Sequence, residues 1–134
     1  MVKVISVVCG LIGAGKSTYS EEQGGIISDF DLIGDKDAQL MFTLSEHKKG
    51  GHVYHITCFP TAKEMEAFEK LNVEYIWINT SFAKSMKNIF ARHRERDMKD
   101  IEETKSANAN IFDKYVASRI DFKIIDVFED NERW

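Results

Sequence analysis

The chain is short of several things that would have settled its class at once. Its 134 residues include only two cysteines, Cys9 and Cys58, far apart and each inside an apolar run. No C-x-x-C pair and no Cys/His cluster is present, which argues against a zinc site and against a disulfide framework. Both thiols are expected to be buried and reduced. No apolar run reaches the roughly 18 residues needed to cross a bilayer as a helix, and the apolar start at Val2–Val8 is too short for a signal peptide and has no small-residue cleavage site. A cytoplasmic protein without a membrane partner is expected. An excess of positive charge is missing too: the formal net charge is −4, which disfavours a domain built to coat nucleic acid, though not a local basic site. There is no repeat, no low-complexity stretch and no linker, so residues 1–134 read as a single domain.

What is present suffices for a soluble core: 43% of the residues are apolar and 30% charged. Val2–Val8 is β-branched and free of turn formers, the pattern of a buried strand. A glycine-rich stretch, Cys9–Gly15, and a short helix over Lys16–Gln23 follow, the helix being stopped by Gly24-Gly25. Ile26-Ile27-Ser28 predicts a second strand ending in Asp29-Phe30-Asp31. A helix over Asp35–His47 and a strand over Val53–Phe59 come next. Thr61-Ala62-Lys63-Glu64 matches a capping box that would open a helix through Leu71. Glu74–Asn79 predicts strand four, with Thr80 or Ser81 capping a helix that ends in an arginine cluster. Glu102–Ala117 predicts a further helix and Phe122–Val127 strand five. Strands alternating with helices give an α/β fold with a mostly parallel sheet.

The segment Gly10-Leu11-Ile12-Gly13-Ala14-Gly15-Lys16-Ser17 fits G-x-x-x-x-G-K-[ST] without a mismatch. Glycines at these positions let the backbone curl so that successive N–H groups converge on phosphate oxygens. Leu11, Ile12, Gly13, Ala14, Gly15, Lys16, Ser17 and Thr18 are therefore the expected nucleotide-binding residues. Lys16 would reach the β- and γ-phosphates, and Ser17 would place a hydroxyl on Mg²⁺. The match follows a strand and precedes a helix, as this chemistry requires.

Two further clusters are candidates. Asp29 and Asp31 lie beyond strand two, at the carboxyl edge where open α/β sheets bind ligands. Either could hold Mg²⁺ through water or take a proton from an attacking hydroxyl. Alternatively, Asp31 would cap the next helix while Asp29 is solvated. Arg92 and Arg96, four apart, share a helical face and could clamp phosphates; equally, they could serve as basic residues at a helix C-terminus, neutralised by Glu95 and Asp97. The four histidines show no metal spacing. Trp77 is expected in the core, and Met41, Phe42, Met65 and Phe68 on helical packing faces.

Taken in order, strand, G-x-x-G-x-G-K-S-T, short helix, I-S-D-F-D, a later strand followed by Pro60, and R-x-x-x-R, the chain resembles the P-loop kinase superfamily. It is most similar to small phage-type polynucleotide 5′-kinase and nucleotide kinase domains, from about Lys3 to Val127. The resemblance implies a three-layer P-loop NTPase fold, a five-stranded parallel sheet in the order 2-3-1-4-5 with helices on both faces. It also implies a kinase using ATP and Mg²⁺, with a nucleic-acid 5′ end, a nucleoside or a nucleotide as acceptor. Asp31 is placed as general base, Asp29 as its alternate and as a metal-side residue with Ser17, and Arg92 and Arg96 as lid arginines. Two positions depart from the family: Ile33 stands where an arginine is common, and the end of strand three offers only Thr57 and Thr61. These departures leave open an alternative, a nucleotide-binding module acting through a protein partner.

Overall fold

The computed structural model describes residues 4–92 and 101–128, the side chain of Arg92 excepted. Five strands, β1 (Ile5–Cys9), β2 (Ile26–Asp29), β3 (Val53–Ile56), β4 (Val73–Ile78) and β5 (Phe122–Ile125), form one sheet in the order β2-β3-β1-β4-β5. Every neighbouring pair is parallel. The helices are α1 (Lys16–Gln23), α2 (Phe30–Ile33), α3 (Lys36–Lys48), α4 (Ala62–Phe68), α5 (Phe82–Arg92) and α6 (Ile101–Ala117), and they cover both faces of the sheet. None of the described helices is long and apolar enough to cross a membrane.

The central position of β1 explains its composition. Flanked by β3 and β4, it is covered on both faces, so Ile5, Val7, Val8 and Cys9 are all fully buried and no polar alternation is needed. Ser6 is buried among them, but its hydroxyl donates to Glu74 Oε1 at 2.7 Å and pairs with His52 Nε2 at 2.7 Å, which meets the requirement for a buried polar group. Trp77 on β4 is in the core as expected and stacks on Tyr115 of α6, with ring centroids 3.9 Å apart.

Several boundaries differ from the sequence expectation. Strand β1 runs through Cys9, which pairs with Trp77 in register. Strand β5 ends at Ile125, and helix α4 ends at Phe68 rather than Leu71, because Leu71 N–H closes a turn onto the Phe68 carbonyl. The predicted capping box is present, with Thr61 and Glu64 bonding each other's backbone. Met41 and Phe42 are not packing residues: they are 71% and 37% exposed. The buried face of α3 is instead Gln39, Leu40 and Thr43, and it is largely polar. Gln39 donates to the carbonyls of Ser28 and Ile56, stitching β2 to β3. Cys58 corrects another expectation, being only half buried. Cys9 is fully buried, and loss of solvation pushes its thiol well above the usual range.

That polar layer continues to the edge of the sheet. Thr43 Oγ1 bonds Ser28 and His55 Nδ1, each at 2.7 Å. The other ring nitrogen of His55 bonds Glu64, which also accepts from the Thr61 backbone and faces Lys36 at 3.8 Å. Burial pulls the Glu64 carboxyl upward. The His55 bond, the Thr61 amide and the Lys36 charge together outweigh it and leave the group below its usual 4.5. A carboxylate with a lowered folded-state pKa contributes stability above its unfolded value and loses it as pH falls through the folded one. The wild type is therefore expected to lose stability more steeply than Glu64→Gln below about pH 4.5, which thermal melts across pH 3–7 would show. Parallel curves for the two proteins would refute this.

Candidate active site at the carboxyl edge of the sheet

The loop after β1 closes over the carboxyl ends of β1 and β3. Gly13 and Gly15 lie in the left-handed region, with φ of 86° and 96°. A side chain at Gly13 would overlap the Ser85 carbonyl of α5 and stand 2.9 Å from Ile89 Cγ1. Gly13→Ala is thus expected to cost about 1–2 kcal/mol for the left-handed backbone and a further 1–3 for overpacking. The measurement is a urea or thermal melt, and a loss below about 0.5 kcal/mol, the usual surface value, would contradict the packing described.

Helix α1 begins directly from the loop. Its N-cap is Gly15, and no side chain caps it, which leaves the first-turn N–H groups of Lys16, Ser17 and Thr18 to an external acceptor. Together with the dipole, this is a site for anions. Lys16 Nζ donates to the carbonyls of Gly10 and Leu11 at 3.0 and 2.7 Å and lies 3.7 Å from Cys58 Sγ. The lysine is held along the loop, at the end of β3.

Three side chains from distant segments fix the outer loop. Ile12 N–H donates to Asn108 Oδ1 at 2.7 Å while Asn108 Nδ2 returns a bond to the Ile12 carbonyl at 3.2 Å. Asn88 Nδ2 donates to the Gly13 carbonyl at 2.9 Å, and Thr80 Oγ1 to the Ala14 carbonyl at 2.7 Å. None of these residues was singled out for such a role in the sequence. Of the two expected caps of α5, Thr80 and Ser81, it is Ser81 that takes the role, accepting from Lys84 N–H.

On the opposite wall, Asp29 and Asp31 have unlike surroundings. Asp29 is 7% exposed. Its Oδ2 accepts from Ser17 Oγ at 3.1 Å and its Oδ1 from Asp31 N–H at 2.9 Å. Asp29, not Asp31, is thus the N-cap of the short helix α2, which sequence reasoning did not foresee. Asp31 is exposed on the first turn of α2. Both carboxylates and the residues Ile12–Thr18 line one cleft of about 390 Å³. Arg92 terminates α5, whereas Arg96 lies outside the described residues.

The cleft also contains residues that no motif in the sequence marks. Lys36, at the start of α3, donates to Thr57 Oγ1 at 2.8 Å and sits 5.0 Å from the centre of the Phe30 ring. Phe30, Cys58, Phe59, Ile111 and Lys114 complete the lining. Among the described residues no group of three or more His, Cys, Asp or Glu could hold a metal by itself. Ser17 and Asp29 offer two adjacent hard oxygen donors, which suits an ion such as Mg²⁺ that keeps several waters and borrows its other ligands from phosphates.

No protein-family model matches the chain, and no curated protein matches it. Solved structures do. Shikimate kinase from Acinetobacter baumannii, in complex with shikimate, superposes with a TM-score of 0.62 at 16% identity, covering 96% of this chain and 86% of that one. The fold is a three-layer α/β P-loop fold. Deoxyadenosine kinase from M. mycoides with bound dCTP gives a TM-score of 0.55 at 18% identity, over 92% and 89% of the two chains. At these identities the likeness establishes the architecture, with strand order 2-3-1-4-5 as the sequence resemblance implied. It does not single out the phage polynucleotide kinase subtype.

Proposed function

We propose that this chain is a cytoplasmic, single-domain phosphotransferase that moves the γ-phosphate of ATP, with Mg²⁺, to a hydroxyl or phosphate of a nucleic-acid 5′ end, a nucleoside or a nucleotide. One observation carries the reading: an amide-lined loop, Lys16, a Ser17–Asp29 pair and an exposed Asp31 share a single cleft. The chemistry of phosphoryl transfer is mainly positioning and charge stabilisation, and these groups divide that work.

The loop amides and the start of α1 bind and orient the phosphate chain, and Lys16 supplies positive charge where charge develops. Ser17 and Asp29 would hold Mg²⁺, which when bound neutralises charge on the phosphate oxygens. Asp29 has both carboxylate oxygens engaged, by Ser17 and by the Asp31 amide. It is the poorer candidate for a proton acceptor. Asp31, exposed at the cleft wall, is the better general base: its carboxylate takes the proton as the acceptor oxygen attacks phosphorus. Arg92 and Arg96 belong to the same reading as lid cations closing over the phosphates. ATP is preferred to GTP because the sequence holds no N-K-x-D-like motif for guanine.

The test is transfer from γ-labelled ATP–Mg²⁺ to a panel of 5′-hydroxyl oligonucleotides, nucleosides and nucleoside monophosphates. A labelled acceptor that disappears with Lys16→Ala supports the proposal. ATP binding with no labelled acceptor across the panel would overturn it in favour of a binding module.

A further inference from the structure

Two peptide units of the phosphate loop are free, by their own chemistry, to turn over. Rotating a peptide plane by half a turn changes ψ of the residue before it and φ of the residue after it. A glycine in the second place accepts either sign of φ at little cost. The Ile12–Gly13 and Ala14–Gly15 peptides are such units, with φ of 86° at Gly13 and 96° at Gly15. In a trans peptide the carbonyl and the N–H point to opposite sides. One orientation of each unit therefore offers the cleft a donor. The other offers it a carbonyl oxygen, which phosphate, an acceptor itself, cannot use.

The carbonyls of both units are tied from behind. Asn108 Nδ2 donates to the Ile12 carbonyl at 3.2 Å, and Thr80 Oγ1 to the Ala14 carbonyl at 2.7 Å. The unit between them is held by Asn88 Nδ2 on the Gly13 carbonyl at 2.9 Å, and its own N–H, on Ala14, closes a turn onto the Leu11 carbonyl. Asn108 and Thr80 are both buried, and Thr80 is spare for this task because Ser81 caps α5. We infer that Asn108 and Thr80, assisted by Asn88, are positioning residues that lock these peptides in the phosphate-accepting orientation and so set the affinity for the phosphate chain. The inference rests on the reading of this loop as the nucleotide site, and not on phosphate transfer. Removing one donor leaves a carbonyl unpaired among buried groups, and turning it towards water in the cleft relieves that cost. Part of the population then presents the wrong face, and apparent affinity falls by the fraction that remains competent. Loops with phosphate already bound are in the accepting orientation, so the loss belongs to KM for ATP rather than to kcat.

The experiment titrates the wild type, Thr80→Val and Thr80→Ser with inorganic tripolyphosphate and Mg²⁺ by calorimetry, well below the melting temperature of each. Valine keeps the shape of threonine without the hydroxyl, and serine keeps the hydroxyl. Thr80→Val is expected to bind about 3–10-fold more weakly, the worth of one hydrogen bond, and Thr80→Ser to recover most of the loss. A lower Tm with unchanged Kd would show a merely structural contact and overturn the lock. So would a serine variant as weak as the valine one, since packing and not the hydroxyl would then be responsible. Should Thr80→Val not fold, Asn88→Ala, at a half-buried position, takes its place with the same expected weakening, and an unchanged Kd there overturns the inference. Tripolyphosphate binding that follows the hydroxyl, in a protein that labels no acceptor, upholds the lock while the kinase reading fails. A wild type that binds neither tripolyphosphate nor ATP overturns both.

Discussion

Lys16→Ala is expected to reduce phosphate transfer by about 10²–10³-fold, the range for removing one preorganised charge-stabilising donor. The structure gives a reason to expect an effect on chemistry as well as on affinity. Lys16 Nζ spans the Gly10 and Leu11 carbonyls and lies beside Cys58 at the end of β3. In the proposed reaction it therefore stands between the nucleotide loop and the acceptor wall. A charge in that position interacts more strongly with the transferring phosphoryl group than with the bound ground state, and only such a difference raises kcat. Lys16→Arg is expected to fail almost as badly, since a planar guanidinium cannot replace a compact ammonium in the same carbonyl cage. Single-turnover transfer, with nucleotide affinity measured separately, divides the loss. An alanine variant that keeps more than about a tenth of the rate at saturating ATP would be inconsistent with the range expected for such a donor.

The parts of this site that are local in sequence were readable from it. The phosphate loop is one uninterrupted segment whose glycines answer to backbone geometry, so its conformation could be expected from eight consecutive residues. Asp29 and Asp31 were readable as a pair, because both lie at the end of a strand at the carboxyl edge of the sheet. Their separate tasks were not, since the difference comes from Ser17 and from the Asp31 amide. The loop's outer support was hidden for the same reason. Thr80, Asn88 and Asn108 reach it across 66, 75 and 96 positions, and nothing near each residue marks it as a clamp. Lys36 reads in sequence as an ordinary surface lysine at a helix start, and joins the cleft wall only when β3 brings Thr57 beneath it. Met41 and Phe42 misled in the opposite sense. Apolar character suggested a packed face, but α3 buries Gln39 and Thr43 because the strands beneath present the Ser28 hydroxyl, His55 and the carbonyls of Ser28 and Ile56. Periodicity detects a buried face through hydrophobicity, and so misses one held by hydrogen bonds.

Asp31→Asn separates acceptor classes as well as testing the base. With a hydroxyl acceptor the variant is expected to lose about 10²–10⁴-fold in kcat, the usual contribution of a positioned base. The amide keeps the size and much of the hydrogen bonding of the carboxylate but cannot take the proton. The N-cap of α2 is Asp29 and not Asp31, so the helix start is untouched and Tm should move little. A monophosphate acceptor gives the opposite expectation. Its attacking oxygen is already anionic at neutral pH, so no proton has to be removed and Asp31→Asn should retain substantial activity. Asp29→Asn is expected to behave differently from both. It weakens the partner of Ser17, so its activity should depend more steeply on Mg²⁺ concentration with either acceptor. Measuring kcat for both variants against Mg²⁺ and against the two acceptor types therefore assigns the two carboxylates independently. Should Asp31→Asn prove harmless with a hydroxyl acceptor while Asp29→Asn abolishes transfer at saturating Mg²⁺, the roles of the two residues would have to be exchanged.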